Sequence, residues 1–300
     1  MKDAAWLVSA VPVLFVLSMF SVGCGSDSTN GTPDGVSVVA GENFWGSIAS
    51  QIGGAHVRVI SIVSDPNADP HLYESSPANA AAVAQAQLVI ENGADYDDFL
   101  SRLLAAAGGN PTVLNVQDVL GMTGSNVNPH FWYDIPRVPK VAGAIEAALA
   151  KVDPQDAASF QSNLATFDDS LQPIETLIGQ IRQRHSGAPV AYTERVPEYL
   201  LIAAGLDVKT PSGFASAIED GNEPSPGDTA AMNQLISRHG VQVLLYNAQA
   251  VSAVTQNVQT RARQAGIPVV PVTETLPPSY RTYQAWQLAQ AQALHQALGG

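Results

Sequence analysis

The chain has one cysteine, Cys24, in 300 residues, so no internal disulfide can brace it. It is poor in positive charge: 14 Lys and Arg stand against 27 Asp and Glu, a net charge of −13 with histidine neutral. No basic patch interrupts this acidity, which argues against DNA or RNA as a partner. Charged residues make up only 14% of the chain and hydrophobic ones 46%, the balance of a folded globular protein and not of a disordered one. No GxxxxGK run followed by Ser or Thr occurs, so the chain should not hydrolyse nucleotide, and no HExxH run marks a zinc-hydrolase helix.

The first two dozen residues are not read as fold. Lys2 precedes an apolar run from Trp6 to Val22, short for a membrane span and without a strong basic stop on its far side. Residues 1–23 read as a signal peptide. Ser21-Val22-Gly23-Cys24 resembles a bacterial lipobox, which implies cleavage before Cys24 and lipid attachment to its sulfur. Residues 24–35 (CGSDSTNGTPDG) are rich in Gly, Ser and Asp and read as a flexible tether. The expected location is the cell envelope, outside the cytoplasm and lipid-anchored to the membrane.

From Val36 onward strand and helix alternate. Short apolar strands at 36–40, 57–62, 88–91 and 112–115 are separated by helical stretches, the pattern of a parallel sheet covered on both faces. The middle changes character: 136–149 and 154–184 are helical with no strand between them. Pro173 lies inside the second stretch and should kink it. Alternation resumes with strands at 190–192, 241–246 and 269–272. The expected fold class is α/β: two lobes with mainly parallel sheets joined by one long backbone helix. The expected domains are an N-terminal lobe over 36–135, linking helices over 136–186 and a C-terminal lobe over 187–300.

Two tripeptides stand out in this frame, Asp69-Pro70-His71 and Asn128-Pro129-His130. Proline fixes its own φ and keeps the residue before it extended, so each loop can orient its imidazole in advance. Both follow strands. Glu194 and Glu274 each come two residues after a strand. Ligands of open parallel sheets bind beyond the carboxyl ends of the strands, so all four side chains fall on the productive edges, two per lobe. Facing lobes would bring them together. Two imidazole nitrogens and two carboxylates suit a divalent transition metal and cancel its charge. His56, His185, His239 and His295 lie at turns or in helices and read as structural or solvent-facing.

The sequence resembles the metal-receptor lipoproteins of bacterial zinc and manganese ABC importers, from about Val38 to the C terminus. The resemblance rests on Glu42-Asn43-Phe44-Trp45-Gly46, Asp69-Pro70-His71-Leu72-Tyr73-Glu74, Glu91-Asn92-Gly93, Asn128-Pro129-His130-Phe131-Trp132, Glu223-Pro224-Ser225-Pro226 and Thr273-Glu274. It implies two lobes, a backbone helix and one divalent ion, manganese or zinc, carried as cargo. By the same resemblance the ligands are His71, His130, Glu194 and Glu274, the last standing where relatives usually have Asp, one methylene shorter. Asn247 stands where many relatives have an acid. The lack of a His-rich loop before Asn128 and the Glu at 194 favour manganese, whereas nitrogen and oxygen sites intrinsically prefer zinc. The implied partners are a permease and separate ATPase chains, with the receptor a monomer and not an enzyme. The alternatives are a metal-dependent hydrolase, or a surface adhesion lipoprotein with a structural metal.

Overall fold

Two four-stranded sheets, all parallel, organise the chain. The computed structural model describes residue 1 and residues 35–65, 73, 75–124 and 126–300. Cys24, His71, and all of the expected leader and tether except Met1 and Gly35 lie outside the described residues. The first sheet holds β1 (Val36–Glu42), β2 (Val57–Val63), β3 (Leu88–Glu91) and β4 (Thr112–Asn115) in the order β2-β1-β3-β4. The second holds β5 (Pro189–Tyr192), β6 (Asp207–Val208), β7 (Val243–Asn247) and β8 (Val269–Val272) in the order β6-β5-β7-β8. Each lobe therefore runs second-first-third-fourth. The direction of winding reverses between its first and third strands, which is where such sheets open a binding crevice.

The inner strands of each sheet are buried on both faces because they alternate two apolar sets. In β1, Val36, Val38 and Ala40 face a central core while Val39 faces an outer one; in β3, Leu88 and Ile90 face inward and Val89 outward. The second sheet repeats this with Val190 and Tyr192 against Ala191, and Val243 and Leu245 against Leu244. The first outer layer is α2 (Pro77–Gln85) with α3 (Asp98–Ala107); the second is α9 (Ser212–Glu219), α10 (Pro226–Ser237) and α11 (Ala253–Gln264).

The central core is shared by both lobes. It takes Phe44, Trp45 and Ile48 from α1 (Asn43–Gly53), Val141 and Ile145 from α5 (Val138–Val152), and Tyr283 and Trp286 from α12 (Tyr283–Ala297). Burying each such side chain contributes about 1.5–3 kcal/mol, so the lobes are held by common apolar packing and not by a bare linker.

The long helical run expected over 154–184 is built as α6 (Ala157–Ser170) and α7 (Gln172–His185), which meet at Leu171. Pro173 has no N–H to give to the preceding turn. The ladder restarts from Ile174 and Glu175, both of which donate to the Leu171 carbonyl, at 2.9 and 3.1 Å. The break sits where the proline was expected to kink the run. Two further short helices, α4 (Val116–Leu120) and α8 (Glu198–Ala203), complete the α-helices of the described residues. Among the described residues no helix is long and apolar enough to cross a membrane.

Candidate metal centre

His130 follows β4 and α4 on a loop that is bolted to the other lobe. The Asn128 amide Nδ2 donates to the Arg195 carbonyl at 3.0 Å and to Glu198 Oε2 at 2.9 Å. Both partners are acceptors, so the amide orientation is settled and Oδ1 is left to face His130. It accepts the His130 backbone N–H at 3.1 Å and lies 2.6 Å from ring Nδ1. The proton therefore sits on Nδ1, and Nε2 presents its lone pair, the arrangement that suits a metal-binding imidazole. The Tyr199 hydroxyl donates to the Asn128 carbonyl at 2.8 Å, and Asn92 Nδ2 donates to the Pro129 carbonyl at 3.0 Å, so both lobes grip the loop. The ring packs edge-on against Trp132 and Tyr96, with centroids 5.2 and 5.9 Å away.

The two expected carboxylates stand opposite. Glu194 comes just after β5 and Glu274 just after β8; both are buried. Asn247, the last residue of β7, donates through Nδ2 to Glu194 Oε2 at 2.9 Å and to Glu274 Oε1 at 2.5 Å. The Tyr96 hydroxyl reaches across from the first lobe to donate to Glu274 Oε2 at 2.8 Å. That same oxygen lies 3.7 Å from His130 Nε2. His130 and Glu274 thus approach one another, and Glu194 joins them through a shared amide. Among the described residues no group of three His, Cys, Asp or Glu side chains is closed tightly enough to hold an ion by itself. His71, the fourth expected member, lies outside the described residues.

Tyr96 is aimed by its predecessors. Ala94 and Asp95 both have left-handed backbone, with φ of 57° and 60°. An L residue there costs roughly 1–2 kcal/mol, and the double turn swings the next side chain toward the cleft. Asn126, also left-handed, accepts from Arg195 Nη1 through its side-chain oxygen at 3.1 Å. These three residues line a polar cavity of about 340 Å³ that includes Pro129 and Arg195, the chain neighbours of His130 and Glu194.

The first lobe supplies acids that the sequence reading did not single out. Glu42 closes β1 at the crevice and has no solvent exposure. Burial, then the nearby charges of Asp97, Glu91 and Glu274, hold its carboxyl well above the ordinary range. Asp97 accepts the backbone N–H groups of Asn92 and Gly93, at 2.6 and 2.9 Å. Burial outweighs those donors and pushes it up to about 7. The signal for Glu42 was available: it ends the first strand of its lobe, near the place where Glu194 follows the first strand of the other. Nothing local to residue 96 marked Tyr96, because its partner is 178 residues away.

The remaining histidines stand apart from this group. His56 pairs with Asp156 at 2.7 Å. The rings of His185 and His295 meet at 6.4 Å. His239 takes a left-handed φ of 52° just after α10.

Known proteins match this chain. It is 28% identical to the manganese-binding lipoprotein MntA of Halalkalibacterium halodurans over 175 residues, 55% of this chain and 57% of that protein. It is 23% identical to the metal ABC transporter substrate-binding lipoprotein FimA of Streptococcus parasanguinis over 281 residues, 87% of each chain. A mutant structure of the laminin-binding adhesin Lmb from Streptococcus agalactiae superposes with a TM-score of 0.74 at 20% identity, covering 88% of this chain and all of that one, which shows a shared fold. The family model described as the periplasmic zinc-uptake complex component A, ZnuA, matches residues 38–297, and the chain belongs to that family.

Proposed function

We propose that this chain captures one divalent transition-metal ion, manganese or zinc, outside the cytoplasm and delivers it to a membrane permease for uptake. Family membership makes it the substrate-binding receptor of a metal importer and not an enzyme. We assign the ion's ligands to His71, His130, Glu194 and Glu274. The observation that carries this reading is the burial of His130 and Glu274 at 3.7 Å, with Glu194 tied to the same group. Two carboxylates removed from water are costly to keep charged, and a divalent cation offsets both charges at once. The ion is cargo, and no bond is made or broken in it.

The same reading places lipid attachment at Cys24, which would hold the receptor at the membrane beside its permease and the ATPase chains that drive it. The names of MntA and FimA as lipoproteins support the anchor. The likeness to Lmb concerns the fold and does not extend laminin binding to this chain.

Calorimetric titration of zinc and of manganese into the metal-free protein, with elemental analysis of the product, tests the proposal. One ion per chain is expected. Protons compete with the ion for imidazole and carboxylate alike, so affinity should fall as pH drops from about 7.5 to about 5. Absence of binding, or undiminished binding when both His71 and His130 are alanine, would overturn the site.

A further inference from the structure

Asn247 is 1% exposed at the crevice end of β7. Its Oδ1 accepts the backbone N–H of Gln249 at 2.9 Å, which settles that Nδ2 is the end facing the two glutamates. An amide nitrogen carries two hydrogens, one for Glu194 Oε2 and one for Glu274 Oε1. One neutral side chain therefore holds two anions at a fixed spacing and adds no third charge. Gln249 extends the grip: its Oε1 accepts the backbone N–H of Glu274 and of Thr275, at 2.6 and 2.9 Å, and its Nε2 donates to Thr275 Oγ1 at 2.6 Å. The backbone beneath Glu274 is thus fixed as well as its carboxylate.

We propose that Asn247 is a specificity-determining positioning residue, which confines Glu194 and Glu274 to ligation through one oxygen each and so favours a four-coordinate ion. The inference rests on the proposed assignment of His71, His130, Glu194 and Glu274 as ligands. A carboxylate that chelates must place both oxygens at similar distances from the ion, which turns the group about its own axis. Here Glu194 Oε2 and Glu274 Oε1 are already held by the amide and Glu274 Oε2 by the Tyr96 hydroxyl, so a chelated ion would have to share oxygens that these donors occupy. Two imidazoles and two one-oxygen carboxylates make four donors, the tetrahedral set that zinc takes. Two chelating carboxylates would make six, the octahedral, oxygen-rich set that suits manganese. Asn247 therefore weights the site toward zinc.

Cobalt(II) is the probe, because a four-coordinate cobalt ion absorbs visible light far more strongly than a six-coordinate one. The wild-type protein loaded with cobalt should show the intense band. Asn247→Ala should weaken that band and raise manganese affinity relative to zinc by tenfold or more in competition titrations. Asn247→Ser, which keeps one donor, should fall between, and it carries the comparison if the alanine variant does not fold. A weak, six-coordinate spectrum from the wild type overturns the proposal without any variant. So does a foldable variant with the wild-type spectrum and the wild-type zinc-to-manganese ratio. If the wild type binds none of cobalt, zinc or manganese, the metal site itself falls; if it binds them and only the variants behave like wild type, the role of Asn247 alone falls.

Discussion

Each lobe carries a buried glutamate where its first strand ends and a buried asparagine where its third strand ends, and the two pairs are wired differently. In the second lobe the amide of Asn247 is spent on Glu194 and Glu274. In the first lobe the amide of Asn92 is spent elsewhere: Oδ1 accepts Trp45 Nε1 at 3.0 Å and Nδ2 supports the Pro129 carbonyl. Among the described residues neither oxygen of Glu42 has a hydrogen-bond partner. One topology thus gives two outcomes. The second lobe presents carboxylates stabilised by donors and fit to meet a cation. The first lobe uses its asparagine to prop the loop of His130 and leaves Glu42 favouring its protonated form.

The contrast breaks most visibly if Glu194 can be neutralised without loss. Glu194→Gln and His130→Ala should each lower metal affinity by at least about a hundredfold, since even residues that merely support a ligand are worth roughly 10–100-fold; calorimetry reads this directly. Asn92→Ala sharpens the other half. It leaves the buried Trp45 indole N–H unpaired, at about 1–3 kcal/mol, while the Pro129 carbonyl keeps the Phe131 N–H at 2.7 Å, and should lower stability by about 1–3 kcal/mol in chemical unfolding. Tyr96→Phe removes one donor from Glu274 and should weaken binding by about fivefold, the equivalent of a single hydrogen bond near 1 kcal/mol.

The smallest expected effect concerns the first-lobe acids. Glu42 and Asp97 have carboxyl groups raised in the folded state. A raised group stabilises the fold fully below its unfolded value and loses that contribution as pH rises through the folded one. For Asp97 the window runs from the ordinary 3.8 up to about 7. Glu42→Gln cannot ionise and should raise the melting temperature of the metal-free protein at pH 8 by a few degrees, where about 1 kcal/mol moves it roughly 2–4 °C. At pH 5 the gain should be smaller. An equal gain at both pH values would remove the distinction drawn between the two lobes.

The strands other than the two-residue β6, the lobes and the linking helices were legible because continuous apolar runs and helical spacing are local signals, whereas β6 is too short to carry such a run. Strand ends then pointed to His130, Glu194 and Glu274 with no knowledge of their partners. What stayed hidden were contacts between distant segments. Asn247 could be noticed as a departure from an acid, but not as the donor joining two glutamates. Asn128 lay inside a motif chosen for its histidine, and its role in setting the ring tautomer depends on Arg195 and Glu198 of the other lobe. The sequence argument for manganese and the amide geometry at Asn247 now pull in opposite directions, which makes the cobalt spectrum the sharper measurement.

The lobes are also stitched along their seam. Asn43 exchanges two hydrogen bonds with the backbone of Leu276, at 2.9 and 2.8 Å. Ser47 Oγ accepts the Tyr283 N–H, Gln51 and Gln284 pair through their amides, and Tyr133 donates to the Thr273 carbonyl. Spontaneous yawning of the two halves would have to tear this seam and split the common core, so a captured ion should not leak backward on its own. On the proposed reading, release of the ion would then require a partner that breaks this seam.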